Sequence, residues 1–299
     1  MNDFYHVLIK NDGSIIHDVF ATSHKDLICK YITPADDSKS YFRAMYSPKM
    51  DCRLDDLDNY QIIISENYIP DWFQGSLAED ITVKLREVIE SMIVRGHKQL
   101  LLHDGAILVG TAVVQELKQS IVFAMYDHAR IKSLDKNSEI HHVTDECIIE
   151  EMHDSTKIEE LSGFAKVNTM FDYSKIIKMW GQSKVNIMND NSRIAMLKGD
   201  ANIISMHDEA QADRMKHMSK VDEMHGHSVI EEMWDWTIVE KMFDQSRINY
   251  MDEESKVCEM FGDSMIEVMC GNAIVERLTE NSLVRKLHDA AQILKKELE

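Results

Sequence analysis

Hydrophobic and polar positions recur along most of this chain with a period of nine. From Thr111 to Ala290 the sequence falls into about twenty rows of nine residues without insertion or deletion. Typical rows are AKVNTMFDY from Ala165, SKIIKMWGQ from Ser174, SKVNIMNDN from Ser183 and SKVCEMFGD from Ser255. Column one is small, as at Ala165, Ser174, Ala201, Ser228, Thr237, Ser264 and Ala273, with Cys147 the largest. Column three is Val or Ile except at Ala212. Column six is Met, Leu or Val, as at Met170, Met179, Met233 and Met260, with Glu116 the exception; column eight is mostly Gly or Asp, as at Gly181, Asp190, Gly226 and Gly262.

Side chains alternate along a strand, so columns one and three share a face and point inward together. The odd step from column three to column six predicts a turn between them. Gly or Asp at column eight suits a second bend, because Gly takes positive φ freely and Asp tolerates turns. Nine residues then make one strand and one corner, and two such units close a coil of eighteen. Alternation of Gly and Asp in column eight from Gly163 to Asp208 hints at that doubling. The fold expected is mainly β, a parallel β-solenoid, and ten coils at about 4.8 Å give a stack of about 48 Å. An array of amphipathic helices fits less well, since nine matches neither 3.5 nor 3.6 residues per turn. Pro34, Pro48 and Pro70 all precede the repeats, as ladder hydrogen bonding requires.

Three segments follow: a small α+β domain over 1–110, the solenoid over 111–281, and a C-terminal helix over 282–299. In the first, Tyr5 to Phe20 reads as a hairpin turning at Asp12-Gly13, and Lys98 to Gly110 as a second turning at Asp104-Gly105. Ser76 and Glu79 have capping-box spacing before the apolar periodicity Ile81, Leu85, Val88, Ile89, Met92, which Gly96 ends. Tyr31 to Glu66, with Asp36, Asp37, Asp51, Asp55, Asp56 and Asp58, carries least pattern and reads as loop. Leu283, Leu287, Leu294 and Leu298 lie on one helical face, which predicts a cap for the last coil or a homodimer contact.

Charge narrows the partners. There are 52 acidic against 33 basic residues, a formal net charge of -19, which disfavours direct contact with nucleic acid or anionic membrane. No long apolar run or leader stands at the start, and Cys29, Cys52, Cys147, Cys258 and Cys270 are odd in number and widely spaced. Those features point to a reducing, cytoplasmic setting.

No catalytic constellation emerges, and the chain reads as a non-enzyme without cofactor. Column eight supplies Asp127, Asp145, Asp154, Asp172 and Asp190 but lacks the glycines of calcium-binding nonapeptides. His207 and His225, eighteen residues apart, would stack as neighbours about 5 Å apart; without a further ligand they read as surface histidines. The methionine column reads as core. Lys and Arg concentrate in column two, at Lys157, Lys166, Lys175, Lys184, Arg193, Lys220, Arg247 and Lys256, and acids in columns four and five. Glu150, Glu151, Glu159, Glu160, Asp222, Glu223, Glu231, Glu232 and Glu240, with Trp234 and Trp236, form the candidate surface for a protein partner.

The Ser-Lys-Val-x-x-Met-x-Gly/Asp rows, with Ile69-Pro70-Asp71-Trp72 ahead of them, resemble a group of bacterial and bacteriophage nonapeptide-repeat proteins. The likeness spans roughly residues 69 to 281; it implies a β-solenoid of phage or mobile-element origin and carries over no catalytic residue. In shape and charge the chain is also similar to acidic pentapeptide-repeat rods that imitate DNA, though the column-two cations depart from that pattern. The expectation is a binding protein that inhibits a DNA-binding or defence protein of a bacterial host. The alternative is a structural component that assembles through its C-terminal segment.

Overall fold

The computed structural model describes residues 5–19, 21–34, 36, 39–50, 52–65, 69–101, 105–279 and 281–297. Two compact units emerge, Met1–Val94 with Asp104–Ile107, and Arg95–His103 with Leu108–Glu299.

The first unit contains β1 (His6–Lys10), β2 (Ile15–His17), α1 (His24–Tyr31), β3 (Tyr41–Pro48), β4 (Tyr60–Ile64) and α2 (Ser76–Met92). Its strands form an antiparallel sheet in the order β2-β1-β3-β4. The first expected hairpin is present: Gly13 takes φ 78° and the Asp12 carboxylate accepts from the Ser14 N–H at 2.8 Å. Phe20 lies outside the described residues. The stretch from Tyr31 to Glu66 is more ordered than its pattern suggested. In β3, Phe42, Ala44 and Tyr46 alternate into the core, and β4 pairs alongside. Asp36, Asp55, Asp56 and Asp58 lie outside the strands, while Asp37, Asp51 and Glu66 fall outside the described residues. Helix α2 buries Ile81, Leu85 and Ile89 as its periodicity requires. Its capping box does not form, because Ser76 is already the first helical residue and Gly75 is the N-cap.

The second unit is the solenoid. Strands pair in parallel across eighteen residues, for example Ile149 with Val167 and Ile158 with Ile176. Successive rows alternate between two sheets. We call the sheet containing Ile148–Met152 and Lys220–Met224 the even face, and the sheet containing Lys157–Leu161 and Val229–Met233 the odd face. Columns one, three and six are fully buried in row after row, as at Thr156, Ile158 and Leu161 or Ser228, Ile230 and Met233. The expected turn between columns three and six is absent. A five-residue strand runs through columns two to six, and pairing pauses at column four, so that Ile149 and Glu151 are registered but Glu150 is not. That pause resets the alternation and brings column six inward.

The corner lies at column eight, where the backbone takes positive φ, as at Asp145, Asp154, Asp172, Asp190, Asp208 and Asp244. L-residues pay about 1 kcal/mol or more for this region, and Asp and Asn pay least. Stacking supplies a second reason for Asp. The backbone N–H of Asp154 donates to Asp172 Oδ2 at 2.9 Å, that of Asp172 to Asp190 Oδ2 at 3.1 Å, and that of Gly226 to Asp244 Oδ2 at 3.0 Å. Each corner aspartate thus satisfies an amide one coil below. At Gly271 a Cβ would stand 2.7 Å from the Glu253 amide nitrogen, which explains the glycine there.

Three expectations are corrected. Val113 pairs with Arg130 at a spacing of seventeen, so the first row is offset by one residue. Leu117, fully buried, takes the column-six place and Glu116 is no exception. Among the described residues His97–Leu101 ends its sheet and pairs with Val113–Lys118 alone, in parallel, while Ala106–Leu108 lies in the other sheet, so the second hairpin over 98–110 does not form; Asp104 itself is outside the described residues. The C-terminal helix is replaced by two further strands, Leu283–Leu287 and Gln292–Glu297, which pair in parallel with Met265–Met269 and Ile274–Thr279. Ala291 and Val284 still fall in columns one and three, and the open edge of the preceding coil supplies ladder partners that an isolated helix would forgo. The solenoid therefore runs past both expected boundaries, at 111 and at 281.

Candidate functional site

Outward side chains occupy columns two, four and five of the strands and seven and nine of the corners. The eighteen-residue register places like columns above one another, so each column becomes a row of side chains up a face. The candidate acids divide between the two faces. Glu150, Glu151, Asp222, Glu223 and Glu240 lie on the even face; Glu159, Glu160, Glu231 and Glu232 lie on the odd one.

Every one of the nine has a partner. Arg130 Nη1 reaches Glu150 at 3.2 Å, His153 Nε2 reaches Glu151 at 3.1 Å, and Lys157 Nζ reaches Glu159 at 2.5 Å. His142 lies 3.4 Å from Glu160, to which Trp180 Nε1 also donates. Lys220 Nζ bridges Asp222 at 3.1 Å and Glu240 at 2.8 Å. His225 lies 3.2 Å from Glu223, Gln211 donates to Glu231 at 2.9 Å, and Trp234 Nε1 donates to Glu232 at 3.2 Å. Several pairs share a diagonal in which a column-two cation reaches the column-four acid of the next coil, as in Arg130–Glu150, Arg193–Asp213 and Lys220–Glu240. Hydrogen bonding from His142 holds the Glu160 carboxyl below its ordinary value, and the Lys220 ammonium does the same for Glu240. Exposed pairs of this kind contribute a few tenths of a kcal/mol each.

Trp234 and Trp236 occupy one corner. Lys216 Nζ sits 5.8 Å from the Trp234 ring centroid, while Trp236 is 60 % exposed. Phe164 and Met218, in the same corner column as Trp236, are also exposed. The opposite corner carries a stack of rings: His207 on His225 at 4.9 Å, His225 on Phe243 at 4.7 Å and Phe243 on Phe261 at 5.1 Å, all within 9° of parallel. The expected neighbourhood of His207 and His225 is therefore present, and the two rings stack. Their Nε2 atoms are engaged by Ser205 and Glu223. Burial, with the neighbouring His225, lowers the pKa of His207. Among the described residues no group of three or more His, Cys, Asp or Glu side chains converges as a metal site, and no helix is long and apolar enough to cross a membrane.

All five cysteines are free. Burial pushes the Cys147 and Cys258 thiols up to about 12, which removes thiolate reactivity near neutral pH. Leu283, Leu287 and Leu294 are 46 %, 49 % and 59 % exposed on the last two strands; Leu298 lies outside the described residues.

One feature of the odd face escaped the sequence reading. The row from Ser192 forms only a two-residue strand, Arg193–Ile194, and bends at Ala195 before pairing resumes at Leu197. A groove of about 480 Å³ opens there, lined by Glu160, Lys178, Trp180, Met196, Lys198 and His217 among others. The signal was present: SRIAMLKGD places Met in column five, one place before its usual column.

No family model, curated protein or solved structure matches the chain.

Proposed function

We propose that the protein is a non-enzymatic binding module that holds a protein partner against the corner of its odd face, around Trp236, Glu231 and Glu232. The observation that carries this reading is Trp236, 60 % exposed just past the strand Val229–Met233, which is laddered to a neighbour on each side. Exposed tryptophan on a rigid support is the commonest anchor of protein interfaces, because it buries a large area with little loss of side-chain freedom. The adjacent Trp234 and Glu232 lie in a fixed hydrogen bond and give the patch a polar rim. The resemblance of the repeats to phage and mobile-element proteins makes a protein of the bacterial host the partner, met in the cytoplasm, and inhibition of that partner the outcome. Imitation of DNA would need an unbroken run of like charge, and column-two cations such as Arg130, Lys157 and Lys220 interrupt the acids on both faces; the reading stops at a protein surface.

The test is affinity capture from host lysate with four baits: the wild type, W236A, the charge reversal E231K/E232K and the even-face control E150K. A specific partner retained by the wild type and by the even-face variant E150K, but weakened at least about thirtyfold by W236A, supports the proposal. Retention that survives both odd-face changes overturns it.

A second reading, assembly through 282–299, draws on the exposed Leu283, Leu287 and Leu294. Light scattering separates the two. A dimer or larger species that becomes monomeric in L283E/L287E supports assembly, and a monomeric wild type removes it.

A further inference from the structure

The groove on the odd face combines three things that occur together nowhere else among the described residues: a break in the strand pattern, an indole wall and facing lysines. The break comes from the bend at Ala195, which interrupts the strand at columns four and five and leaves Met196 half-buried in the same lining as Trp180. Trp180 is 46 % exposed, its Nε1–H is tied to Glu160, and the residue lines the groove. Lys178 stands in the column-five row and Lys198 in the column-seven row directly above Trp180, both in the lining. No ion pair within 4 Å engages either ammonium among the described residues, in contrast to the bridged Lys157 and Lys220, although Lys178 is registered opposite Glu160 and its charge helps hold that carboxyl low. The surrounding coils continue the sign: Arg214 and Lys216 follow on the next odd-face strand and corner. On a chain of net charge -19 this is a cationic island with acid on both sides, at Glu160 below and Glu232 above.

Each component has a chemical preference. A fixed indole face takes a flat ring by stacking, and the polarizable Met196 thioether suits the same partner. Lysine ammoniums are compact point charges suited to phosphate oxygens. The Glu160 carboxylate at the rim is acceptor-only and matches the exocyclic amino group of a base. The volume of about 480 Å³ accommodates one such unit and no more. We propose that this groove binds a nucleoside phosphate, with the base against Trp180 and the phosphate at Lys178 and Lys198. The repelling field of the whole chain opposes a long polyanion more than a small one, since screening confines the island's attraction to about 8 Å at physiological salt. The same unit at the end of a strand would present identical chemistry, so both sources enter the test.

Isothermal titration of the full chain, with adenosine 5′-monophosphate, adenosine and a short oligodeoxyadenylate as separate probes, reads the site. Binding of the monophosphate, at least about tenfold tighter than adenosine and weakening as salt rises, is expected. W180A and K178A/K198A should each weaken it at least about tenfold, with unchanged circular dichroism. K241A on the even face and W236A at the partner corner should leave it intact. Binding of the oligonucleotide without the monophosphate assigns the site to strand ends and sustains the chemistry. Absence of heat with all three probes at millimolar concentration, or affinity unaltered in W180A, overturns the proposal.

Discussion

At the scale of single residues, column eight shows how one side chain meets two demands. Asp172 has φ 55° and its Oδ2 accepts from the amide of Asp154. Replacement by Ala keeps the unfavourable backbone and orphans that amide, so D172A should lower stability by about 1–2 kcal/mol. D172G relieves the backbone and loses only the acceptor, so it should fall between D172A and the wild type. D172N retains both features and should lie within about 0.5 kcal/mol of the wild type. Urea unfolding of the series checks the order: a D172G less stable than D172A would show that the positive φ imposes no strain, and a D172G as stable as the wild type would show that the carboxylate contact contributes nothing. The small residue of column one answers a simpler demand. Ser and Ala interchange there because the space is small, and buried hydroxyls such as Ser228 Oγ and Ser264 Oγ find no partner among the described residues.

At the scale of elements, the ring stack on the corner of the even face couples packing to pH. Burial lowers the pKa of His207 from its ordinary 6.5. The unfolded chain therefore takes up that proton first as pH falls. Stability contributed by the neutral ring is present above 6.5 and drains away as the medium is acidified through the lower folded value. H207F keeps a flat ring on His225 and removes the titration. Its stability relative to the wild type should rise between pH 6.5 and pH 5 and stay level between pH 7 and pH 8. A difference that does not change with pH would dissociate His207 from acid sensitivity. The lowered carboxyls of Glu160 and Glu240 add a second loss at lower pH, below their ordinary 4.5.

Elements also mark where the sequence was readable. The strands of the solenoid declared themselves because three inward columns carry nearly all the core, and a small, a β-branched and a thioether side chain cannot trade places. The segment 282–299 reads as helix because its leucines satisfy a helical period, although its small and β-branched residues continue the nonapeptide columns. The free ladder edge of Met265–Met269 and Ile274–Thr279 decides between them, and that edge is a tertiary fact. The groove at Trp180 was illegible for a similar reason. Lys178 and Lys198 are twenty residues apart, and only the bend at Ala195 brings their columns into one hollow. The candidate acids were recognised as outward residues, but their division between two faces depended on which rows alternate.

At the scale of the whole molecule, the even and odd half-turns are built from the same three inward columns. The buried triad Thr156, Ile158, Leu161 of one is chemically that of Ser255, Val257, Met260 of the other. The interior therefore cannot distinguish a half-turn from a full one; only the outer columns can. Excision of residues 229–237 joins Ser228 to Ile238 with every inward column preserved, yet moves all later rows to the opposite sheet. Such a protein should fold, with parallel-sheet circular dichroism and a melting point within several degrees of the parent. It should lose the stacking of His225 on Phe243 and the bridge from Lys220 to Glu240; removing 229–246 instead restores the original parity and brings Phe261 over His225, with Cys258 in the place of Glu240. Evolution can thus lengthen or shorten this chain in units of nine at little thermodynamic cost, but each odd step shuffles the decoration of both faces, so recognition, rather than folding, sets the admissible lengths.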